Sequence, residues 1–386
     1  MRVLVYKHCA NIRFGDRKES NGGNTEIHVV IDQLRKAGHE VAVMSIDRYE
    51  EESKGLVDKY FLWDHMMTAV AWCDVAFCFN GVFNAFGGQV SDESMLSYRM
   101  MNMANKPLIY AVTDTAIPIG DMAGWVRNAQ SKGNYTDLLS DAYEVEAKRI
   151  YCLTQVYDLE AMKKLWKGKE NEFGGYGHFP FEMTVLFRKE LQSTIHPNPT
   201  TDLIYFGNAR GGKRDKKFHK FYCNHQDLKV DVYGNGWDFE KMHAKKLHMS
   251  AAPNNLGKID MYALHHKINQ SLAHCYISDP KNEGTIWTTR FYEAIMNRAV
   301  LFVDIDNDID MQRFKDPFFY VRTAEDLAQK VRLLKGDPAL RVQKLAQQYD
   351  AMKSHIQLAL DFPRVLNFYL NAAKEQHAKF LQTSKP

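Results

Sequence analysis

The sequence predicts an α/β protein made of two parallel-sheet halves in series. Short runs rich in Val, Ile, Leu, Ala and Tyr alternate with amphipathic helical stretches along the chain. Strands that are apolar throughout are typical of a parallel sheet with helices on both faces. The alternation pauses at STIHPNPTTD, residues 193–202, and then restarts, which favours a linker there. With 386 residues, the chain is long enough for two full-sized domains.

Strand and helix signals alternate through the first half. The strand candidates are RVLVYK, HEVAVMSI, DVAFCFN, PLIYAVTD and RIYCLTQ. A long polar loop follows the first strand and leads into the helix TEIHVVIDQLRKAG, which Gly38 ends. We therefore expect a first domain over residues 1–192.

The second half repeats the same pattern. Its strand candidates are DLIYFGN, LKVDVYGN, HCYISD and AVLFVDI. The helix TIWTTRFYEAIMN follows the third of these strands, and TAEDLAQKVRLLK, with Thr323 as N-cap, follows the fourth. We expect a second domain over residues 202–360. The segment 361–381 opens with Asp-Phe-Pro and continues with an amphipathic pattern, which predicts a final helix.

Composition and missing motifs exclude some classes of protein. The net charge of +3 is mildly basic, so a nucleic-acid partner would need a local basic patch. No apolar run approaches the ~18 residues needed to span a bilayer, so we expect no membrane partner. The six cysteines are scattered, without C-x-x-C or zinc-ligand spacing, which favours a reducing cytoplasm. The absence of G-x-x-x-x-G-K-[ST] excludes a P-loop NTPase, and the absence of G-x-G-x-x-G after the first strand argues against a dinucleotide site.

A glycine- and arginine-rich turn follows the first strand of the second half. It runs from Gly207 to Arg214 and lies where a strand gives way to a helix. Backbone N–H groups at such a turn can donate to an anion, and Arg210 and Arg214 would add positive charge. The alternative is a flexible surface turn with solvated side chains.

Arg290 and Glu293 form a second polar signal in the helix after HCYISD. Residues at i and i+3 lie on one face of a helix. Near the start of that helix, Arg290 could meet a diphosphate while Glu293 accepts hydrogen bonds from two ribose hydroxyls. The alternative is an ordinary surface ion pair, which would contribute little.

Three acidic residues stand out in the first half. Asp114 ends the strand PLIYAVTD, a position that points into a ligand cleft in such sheets. Glu26 lies in the first turn of the first helix, and Glu182 lies in FPFEM. Each has a structural alternative: Asp114 could cap a turn, Glu26 could complement the helix dipole, and Glu182 could be a solvated loop acid.

The loop FNGVFNAFGG, residues 79–88, combines three aromatic side chains with three glycines at the end of a strand. By itself it reads as a turn in which Phe83 and Phe86 fold back onto apolar neighbours. The sequence of the loop alone therefore favours a packing role for these two phenylalanines.

Several blocks, taken in order, are similar to the DNA β-glucosyltransferases of T-even-type phages. The similarity is strongest over residues 202–335, from DLIYFGNARGGKR to FYVRTAEDL. In the first half the similar blocks are TEIHVVIDQLRKAGHEV, the N-x-F-G-G of the loop above, YAVTD and the Pro-x-Glu of FPFEM. The resemblance implies the GT-B fold, in which two Rossmann-like domains face each other across a cleft and the C-terminal helix, here 361–381, packs back on the first domain.

The resemblance also implies an activity. This family transfers glucose from UDP-glucose to 5-hydroxymethylcytosine in duplex DNA, with inversion at the sugar. We therefore expect an inverting, UDP-sugar-dependent enzyme, monomeric, that flips a hydroxymethylated base out of phage DNA in the host cytoplasm. A Mg²⁺ or Mn²⁺ ion near the diphosphate is implied too. The sequence assigns it no ligands, because Asp304-Ile305-Asp306 ends a buried strand outside the clamp.

The donor-site roles of the family fall on the second half of the chain. The matching UDP-binding positions are Gly207, Asn208, Arg210, Arg214, Gly257, Ile259, Arg290 and Glu293. Among them the three arginines match the diphosphate clamp, Glu293 matches the ribose ligand, and the backbone of Ile259 matches the contact that reads uracil.

The acceptor-side roles fall mainly on the first half. Asp114 matches the general base. The positions around the sugar and acceptor are Glu26, Glu182 and Asp279, and those assigned to DNA are Asn84, Phe86, Gly87, Arg127 and Lys132. The last two are chosen because the loop WVRNAQSKGNY follows Asp114, whereas the lysines at 213–220 read as a solvated helix face.

Departures from the family leave the sugar and the acceptor open. Asn208 stands where the family has a serine, Ala116 replaces a basic residue, and the loop DPKNEGTIW differs. The donor could be another UDP-sugar, and the acceptor could be 5-hydroxymethyluracil or an already glycosylated base. A GT-B enzyme for a small-molecule or lipid acceptor, or a non-catalytic DNA-binding protein of this fold, are the other hypotheses.

Overall fold

A computed structural model describes residues 1–7, 22–45, 54–79, 104–112, 150–154, 175–178, 181–188, 191–209, 213–244, 249–278 and 287–383. These residues fall into two compact units. The first comprises 1–17, 21–181 and 360–386, and the second comprises 18–20 and 182–359. No helix within the described residues is both long enough and apolar enough to span a bilayer.

The first unit is built on a parallel sheet of seven strands, counted over the described residues. The strands are β1 Arg2–Lys7, β2 Glu40–Ser45, β3 Lys59–Leu62, β4 Val75–Phe79, β5 Leu108–Val112, β6 Ile150–Thr154 and β7 Gly175–His178. Their order is β3-β2-β1-β4-β5-β6-β7, and every pair is parallel. The strands β1 to β3 are added toward one edge of the sheet and the strands β4 to β7 toward the other. The strand order therefore reverses between β1 and β4, as in Rossmann-like folds.

Helices cover this sheet because its strands are apolar on both faces. Among the described residues of this unit, these helices include α1 Gly22–Lys36 and α2 Met66–Trp72. Val3, Leu4 and Val5 of β1 are fully buried in succession, which a sheet with one solvated face would not allow.

The last helix of the chain belongs to the first unit. Its side chains Phe362, Leu366 and Leu370 are fully buried at a spacing of four residues, so one stripe of the helix faces the core. The helix spans Phe362–Thr383, and its Tyr369 hydroxyl donates to the carbonyl oxygen of His178 in β7. The C-terminal segment thus completes the unit with which the chain begins.

The second unit contains a parallel sheet of six strands, again counted over the described residues. The strands are β8 Thr201–Phe206, β9 Val230–Tyr233, β10 Asn254–Asn255, β11 Ser271–Tyr276, β12 Val300–Asp304 and β13 Tyr320–Val321. Their order is β10-β9-β8-β11-β12-β13, with all pairs parallel. The reversal of strand order falls between β8 and β11, where open α/β sheets bind ligands at the carboxyl ends of the strands.

The helices of the second unit surround that sheet. Among the described residues they are α3 Lys213–Tyr222, α4 Phe239–Ala244, α5 Met261–Asn269, α6 Thr289–Met296, α7 Ala324–Gly336, α8 Pro338–Ala351 and α9 Lys353–Leu360. The last helix of the chain, Phe362–Thr383, belongs to the first unit and is labelled α10. The predicted N-cap of α7 is confirmed, because the Thr323 side chain accepts a hydrogen bond from the Asp326 N–H.

The division between the units differs from the expected one. The sequence placed the first domain at 1–192, whereas the first unit stops at Phe181 and resumes only at Leu360, so that residues 182–192 belong to the second unit. Val185 is fully buried in the core of the second unit, and the backbone N–H of Gln192 donates to Asn297 Oδ1 at 2.9 Å. The expected linker is therefore part of the second unit before β8 begins at Thr201.

Candidate functional site

The candidate site lies at the carboxyl edge of the second sheet, where the strand order reverses between β8 and β11. The turn that starts at Gly207 leaves β8 there. Helix α6 enters the same region after β11, and its start is fixed because the N–H of Thr288 donates to the Tyr276 hydroxyl at 3.0 Å. Two helix N-termini and a glycine turn thus lie around one sheet edge, an arrangement that favours anions.

Gly207 and Gly234 allow two turns to pack directly on each other. Gly207 has φ +150° and Gly234 has φ +144°, both unfavourable for residues with a Cβ atom. A Cβ atom on Gly234 would lie 2.2 Å from the carbonyl oxygen of Gly207. Trp237 Nε1 donates to that same oxygen at 2.7 Å, so the turn after β8 is fixed from one side.

Asn208, the departure from serine, has a structural function in this turn. Its side-chain Oδ1 accepts a hydrogen bond from the Asn235 N–H at 2.8 Å. The N–H of Ala209 donates in return to the Asn235 carbonyl oxygen at 2.9 Å. Asn208 therefore locks the turn after β8 to the turn after β9.

Arg214 is a buried cation in the first turn of α3. Only 7 % of its surface is exposed. Its guanidinium donates to the carbonyl oxygen of Asn208, which directs the side chain back toward the glycine turn. The structure thus brings Arg214 together with Gly207 and Asn208, as the sequence predicted.

Arg290 lies at the second position of α6 and reaches β8. Its Nη1 donates to the Tyr205 hydroxyl at 3.0 Å, and its guanidinium carbon lies 5.9 Å from the centre of the Tyr205 ring. Burial opposes its charge, but Tyr205, Tyr276 and the Glu293 carboxylate outweigh this effect and raise the pKa of Arg290. A permanent positive charge is therefore held at the reversal point.

Glu293 is buried rather than solvated, being 4 % exposed. Its Oε1 accepts a hydrogen bond from Nη1 of Arg188, and both side chains of this ion pair are buried. The alternative of an ordinary surface ion pair is therefore wrong for Glu293. The sequence analysis did not identify Arg188 as a site residue. The one local feature that could have indicated it is its position directly after the apolar run MTVLF.

The segment with Gly257 and Ile259 joins the same group of turns. The carbonyl oxygen of Gly257 accepts a hydrogen bond from the Gly234 N–H at 2.8 Å, and Gly257 has φ +70°. Ile259 packs against a small cluster that contains Phe206 and Tyr233 at the ends of β8 and β9. The predicted UDP-binding positions that the structure describes are thus neighbours along one sheet edge.

The remaining predicted site residues cannot be compared with the structure. Asp114, Arg210, Asp279, Asn84, Phe86, Gly87, Arg127 and Lys132 lie outside the described residues. Glu26 lies in α1, and Glu182 lies in the 3-10 helix Phe181–Phe187, but their side chains are not among those described.

Asp304 and Asp306 share a lysine rather than forming an obvious metal site. Lys217 Nζ lies 2.5 Å from Asp304 Oδ2 and 3.2 Å from Asp306 Oδ2. The lysine run predicted a solvated helix face, and for Lys217 this prediction is wrong, because its side chain is paired with two carboxylates. Among the described residues there is no group of three or more His, Cys, Asp or Glu side chains that could hold a metal ion.

Comparison with known proteins identifies similar enzymes. No protein-family model matches the chain. The DNA beta-glucosyltransferase of Enterobacteria phage T4 is 25% identical over 276 residues, which cover 71% of this chain and 76% of that protein.

Solved structures are similar over nearly the whole chain. T4 phage BGT in complex with UDP-glucose has a TM-score of 0.72 at 21% identity, covering 96% of this chain and 99% of that one. The same protein with UDP and Mn²⁺ has a TM-score of 0.70 at 22% identity, covering 94% and 99%. An alpha-glucosyltransferase in complex with UDP-glucose and DNA containing an abasic site has a TM-score of 0.60 at 13% identity. The match covers 96% of this chain and 99% of that one. The predicted resemblance to a phage DNA β-glucosyltransferase is confirmed, and the fold is that of the GT-B glycosyltransferases.

Proposed function

We propose that the protein is a DNA glycosyltransferase that transfers glucose from UDP-glucose to a hydroxymethylated pyrimidine in duplex DNA. The observation that carries the proposal is the cluster at the carboxyl edge of the second sheet. There Gly207 follows β8, Arg214 and Arg290 lie in the first turns of α3 and α6, and a buried carboxylate, Glu293, lies one turn further along α6. The T4 relative supports DNA as the acceptor, and the UDP-glucose complex of the T4 enzyme supports UDP-glucose as the donor.

The donor chemistry follows from the charges in this cluster. UDP leaves with negative charge, and cations together with helix N-termini favour the charge that develops in the transition state. Arg214 and Arg290, with Arg210, would hold the diphosphate, and Glu293 would accept hydrogen bonds from the ribose. The backbone of Ile259, next to Gly257, would read the uracil edge.

The acceptor chemistry is proposed from the resemblance. A primary hydroxyl is a poor nucleophile, so Asp114 would take its proton as the oxygen attacks the anomeric carbon. Attack from the face opposite UDP gives inversion in one step. Glu26, Glu182 and Asp279 would surround the sugar and the acceptor.

Access to the base requires that it leave the helix. A base within a duplex cannot present its hydroxymethyl group to a buried donor, so 5-hydroxymethylcytosine would be flipped out at a cost of a few kcal/mol. Asn84 and Phe86 would fill the gap, Gly87 would let the backbone come close, and Arg127 and Lys132 would bind phosphates. We propose that a monomer performs this reaction, in the cytoplasm of the infected cell.

A divalent cation is compatible with this chemistry. Mg²⁺ or Mn²⁺ beside the diphosphate would neutralise charge on the leaving group, and Mn²⁺ accompanies UDP in one structure of the T4 enzyme. The described residues offer no ligand cluster for it, so we assign no step to the metal.

The test is a panel of donors and acceptors. Release of UDP would be measured with UDP-glucose and other UDP-sugars, on duplex DNA that carries cytosine, 5-hydroxymethylcytosine or 5-hydroxymethyluracil, and without DNA. Mass analysis of the digested nucleosides then identifies the product. We expect UDP release that depends on hydroxymethylated DNA and yields a glucosylated nucleoside. Equal release without DNA, or none with any modified DNA, would overturn the proposal.

A further inference from the structure

The buried ion pair between Arg188 and Glu293 has a consequence for how the ribose is recognised. This inference rests on the proposed function, in which Glu293 is the ribose ligand. A carboxylate that is 4 % exposed needs a partner, because an isolated buried charge is costly. Arg188 supplies the counter-charge and is itself only 7 % exposed.

Only one oxygen of the Glu293 carboxylate is used by this pair. Arg188 Nη1 donates to Oε1, whereas Oε2 accepts no hydrogen bond from any residue that the structure describes. A charge-assisted hydrogen bond to one oxygen is strong and restrains the rotation of the carboxylate. The second oxygen then remains for a ligand hydroxyl.

Arg188 makes a further contact besides the ion pair. Its Nη1 lies 3.2 Å from the sulfur of Met261 on α5. The chain that follows it is tied down as well, because Asn269 Nδ2 donates to the carbonyl oxygen of Thr194 at 2.8 Å. Both contacts restrain the segment that carries Arg188.

The same framework also holds the helix that carries Glu293. Asn297, which accepts from the Gln192 N–H at 2.9 Å, donates from Nδ2 to the Glu293 carbonyl oxygen at 2.8 Å. The Arg188 segment and the Glu293 segment are thus parts of one hydrogen-bonded network. A ribose bound at Glu293 would meet a carboxylate whose position is set before the ligand arrives.

We propose that Arg188 is a positioning residue that orients Glu293 toward the ribose hydroxyls and thereby makes the site selective for ribonucleotide donors over 2′-deoxyribonucleotide donors. A site built to bind a hydroxyl rejects an analogue that lacks it, since its polar groups are then left unpaired. The carboxylate delivers this selectivity only when it is correctly oriented. Loss of Arg188 should therefore reduce the selectivity together with the affinity.

The experiment measures binding of UDP and of 2′-deoxy-UDP to the full-length protein by calorimetry. The wild type is expected to bind UDP at least about tenfold more tightly than 2′-deoxy-UDP. In Arg188→Met the affinity for UDP should fall by about tenfold and the ratio between the two ligands should approach one. Glu293→Gln should lower the same ratio, and Arg188→Lys, which keeps the charge without the planar fork, should be intermediate.

Arg341→Met is the matched control. Arg341 is also a buried arginine of the second unit, and its Nη1 donates to the carbonyl oxygen of His196 at 2.8 Å, in the segment that follows Arg188, rather than to the Glu293 carboxylate. The control should lose thermal stability while it keeps the wild-type ratio. If Arg188→Met fails to fold, Arg188→Lys decides the question by the same ratio.

Two failures are distinguishable. A folded Arg188 variant that keeps the wild-type ratio, while Glu293→Gln loses it, overturns the positioning role and leaves the proposed function intact. A wild type that binds neither nucleotide overturns the proposed function and the inference together.

Discussion

Gly207 and Arg290 are so close that a Cβ atom on Gly207 would lie 2.9 Å from Nη1 of Arg290. The contact joins the turn after β8 to the first turn of α6. Nη1 also donates to the Tyr205 hydroxyl at 3.0 Å, so a shift of the guanidinium away from a Cβ atom would disturb that hydrogen bond. We therefore expect that Arg290, which we propose binds the diphosphate, keeps its position only when residue 207 is glycine.

We predict that Gly207→Ala displaces Arg290 and lowers the affinity for UDP by about tenfold. Gly38→Ala is the control, because Gly38 also has a positive φ, +79°, but a Cβ atom there meets nothing within 4 Å. Both variants should lose on the order of 1 kcal/mol of stability from backbone strain. Titration with UDP separates them, and equal UDP affinities in the two variants would contradict the role given to the contact.

Tyr205 should matter to UDP through its hydroxyl alone. Tyr205→Phe removes the hydrogen bond to Arg290 Nη1 and keeps the ring. We predict a loss of about 0.5–1.5 kcal/mol in the free energy of UDP binding. Tyr222→Phe, whose hydroxyl donates to the Cys275 carbonyl oxygen in the same core, should lower thermal stability without changing UDP affinity. A similar loss of UDP affinity in both variants would show that the effect comes from the core.

Stability should depend on pH through His274. This residue is 1% exposed, and burial lowers its pKa from 6.5 to about 3. Its Nδ1 lies 2.8 Å from the carbonyl oxygen of Ile204. The neutral ring is kept in the folded protein while the unfolded chain binds a proton below about pH 6.5. The stability from His274 is thus complete above pH 6.5 and is lost as the pH falls toward 3.

For His274 we predict a loss of roughly 2 kcal/mol between pH 6.5 and pH 5. Urea unfolding of the wild type and His274→Asn at these two pH values measures it, since the variant should lose less stability on acidification. His266→Gln is the control, because His266 is exposed on α5. If the stability of His274→Asn depends on pH as strongly as that of the wild type, groups other than His274 cause the loss of stability.

The sequence predicted the central strands better than the edges of the sheets. Continuous apolar runs identified β1, β2, β4, β5 and β6, because strands buried on both faces leave a strong pattern. The edge strand β7 is GYGH, and β10 has only Asn254–Asn255, so neither carries an apolar run. Backbone pairing with a neighbouring strand, which the local sequence does not encode, decides such segments.

The candidate site shows the same division between local and distant signals. Arg290 and Glu293 lie one helical turn apart, and Gly207 and Arg214 share one strand-to-helix turn, so local spacing was enough to find them. Arg188 precedes Glu293 by about a hundred residues and meets it only after the chain folds. No local pattern in the sequence connects two positions so far apart.

Asp114 should be needed for chemistry and not for donor binding. We predict that Asp114→Asn lowers the rate of transfer to hydroxymethylated DNA by about 10²–10⁴-fold, the usual contribution of a general base. Affinity for UDP should stay within about twofold of the wild type, because the proposed general base makes no hydrogen bond to UDP. Loss of such a hydrogen bond would lower the affinity by more than about twofold. Single-turnover rates and UDP titrations measure the two effects. A fall in UDP affinity as large as the fall in rate would remove Asp114 from the role of base.

Phe86 should matter only when the acceptor base must leave a duplex. If its ring fills the space of the flipped base, Phe86→Ala loses the contact that offsets part of the few kcal/mol needed for flipping. Single-stranded DNA does not need that compensation, so we predict a larger loss of transfer rate on duplex than on single-stranded hydroxymethylated DNA. Phe83→Ala is the control, because Phe83 is expected to pack within the protein and should affect both substrates alike. Equal losses on both substrates in Phe86→Ala would return this residue to a packing role, and the duplex would then have to be opened by another part of the protein.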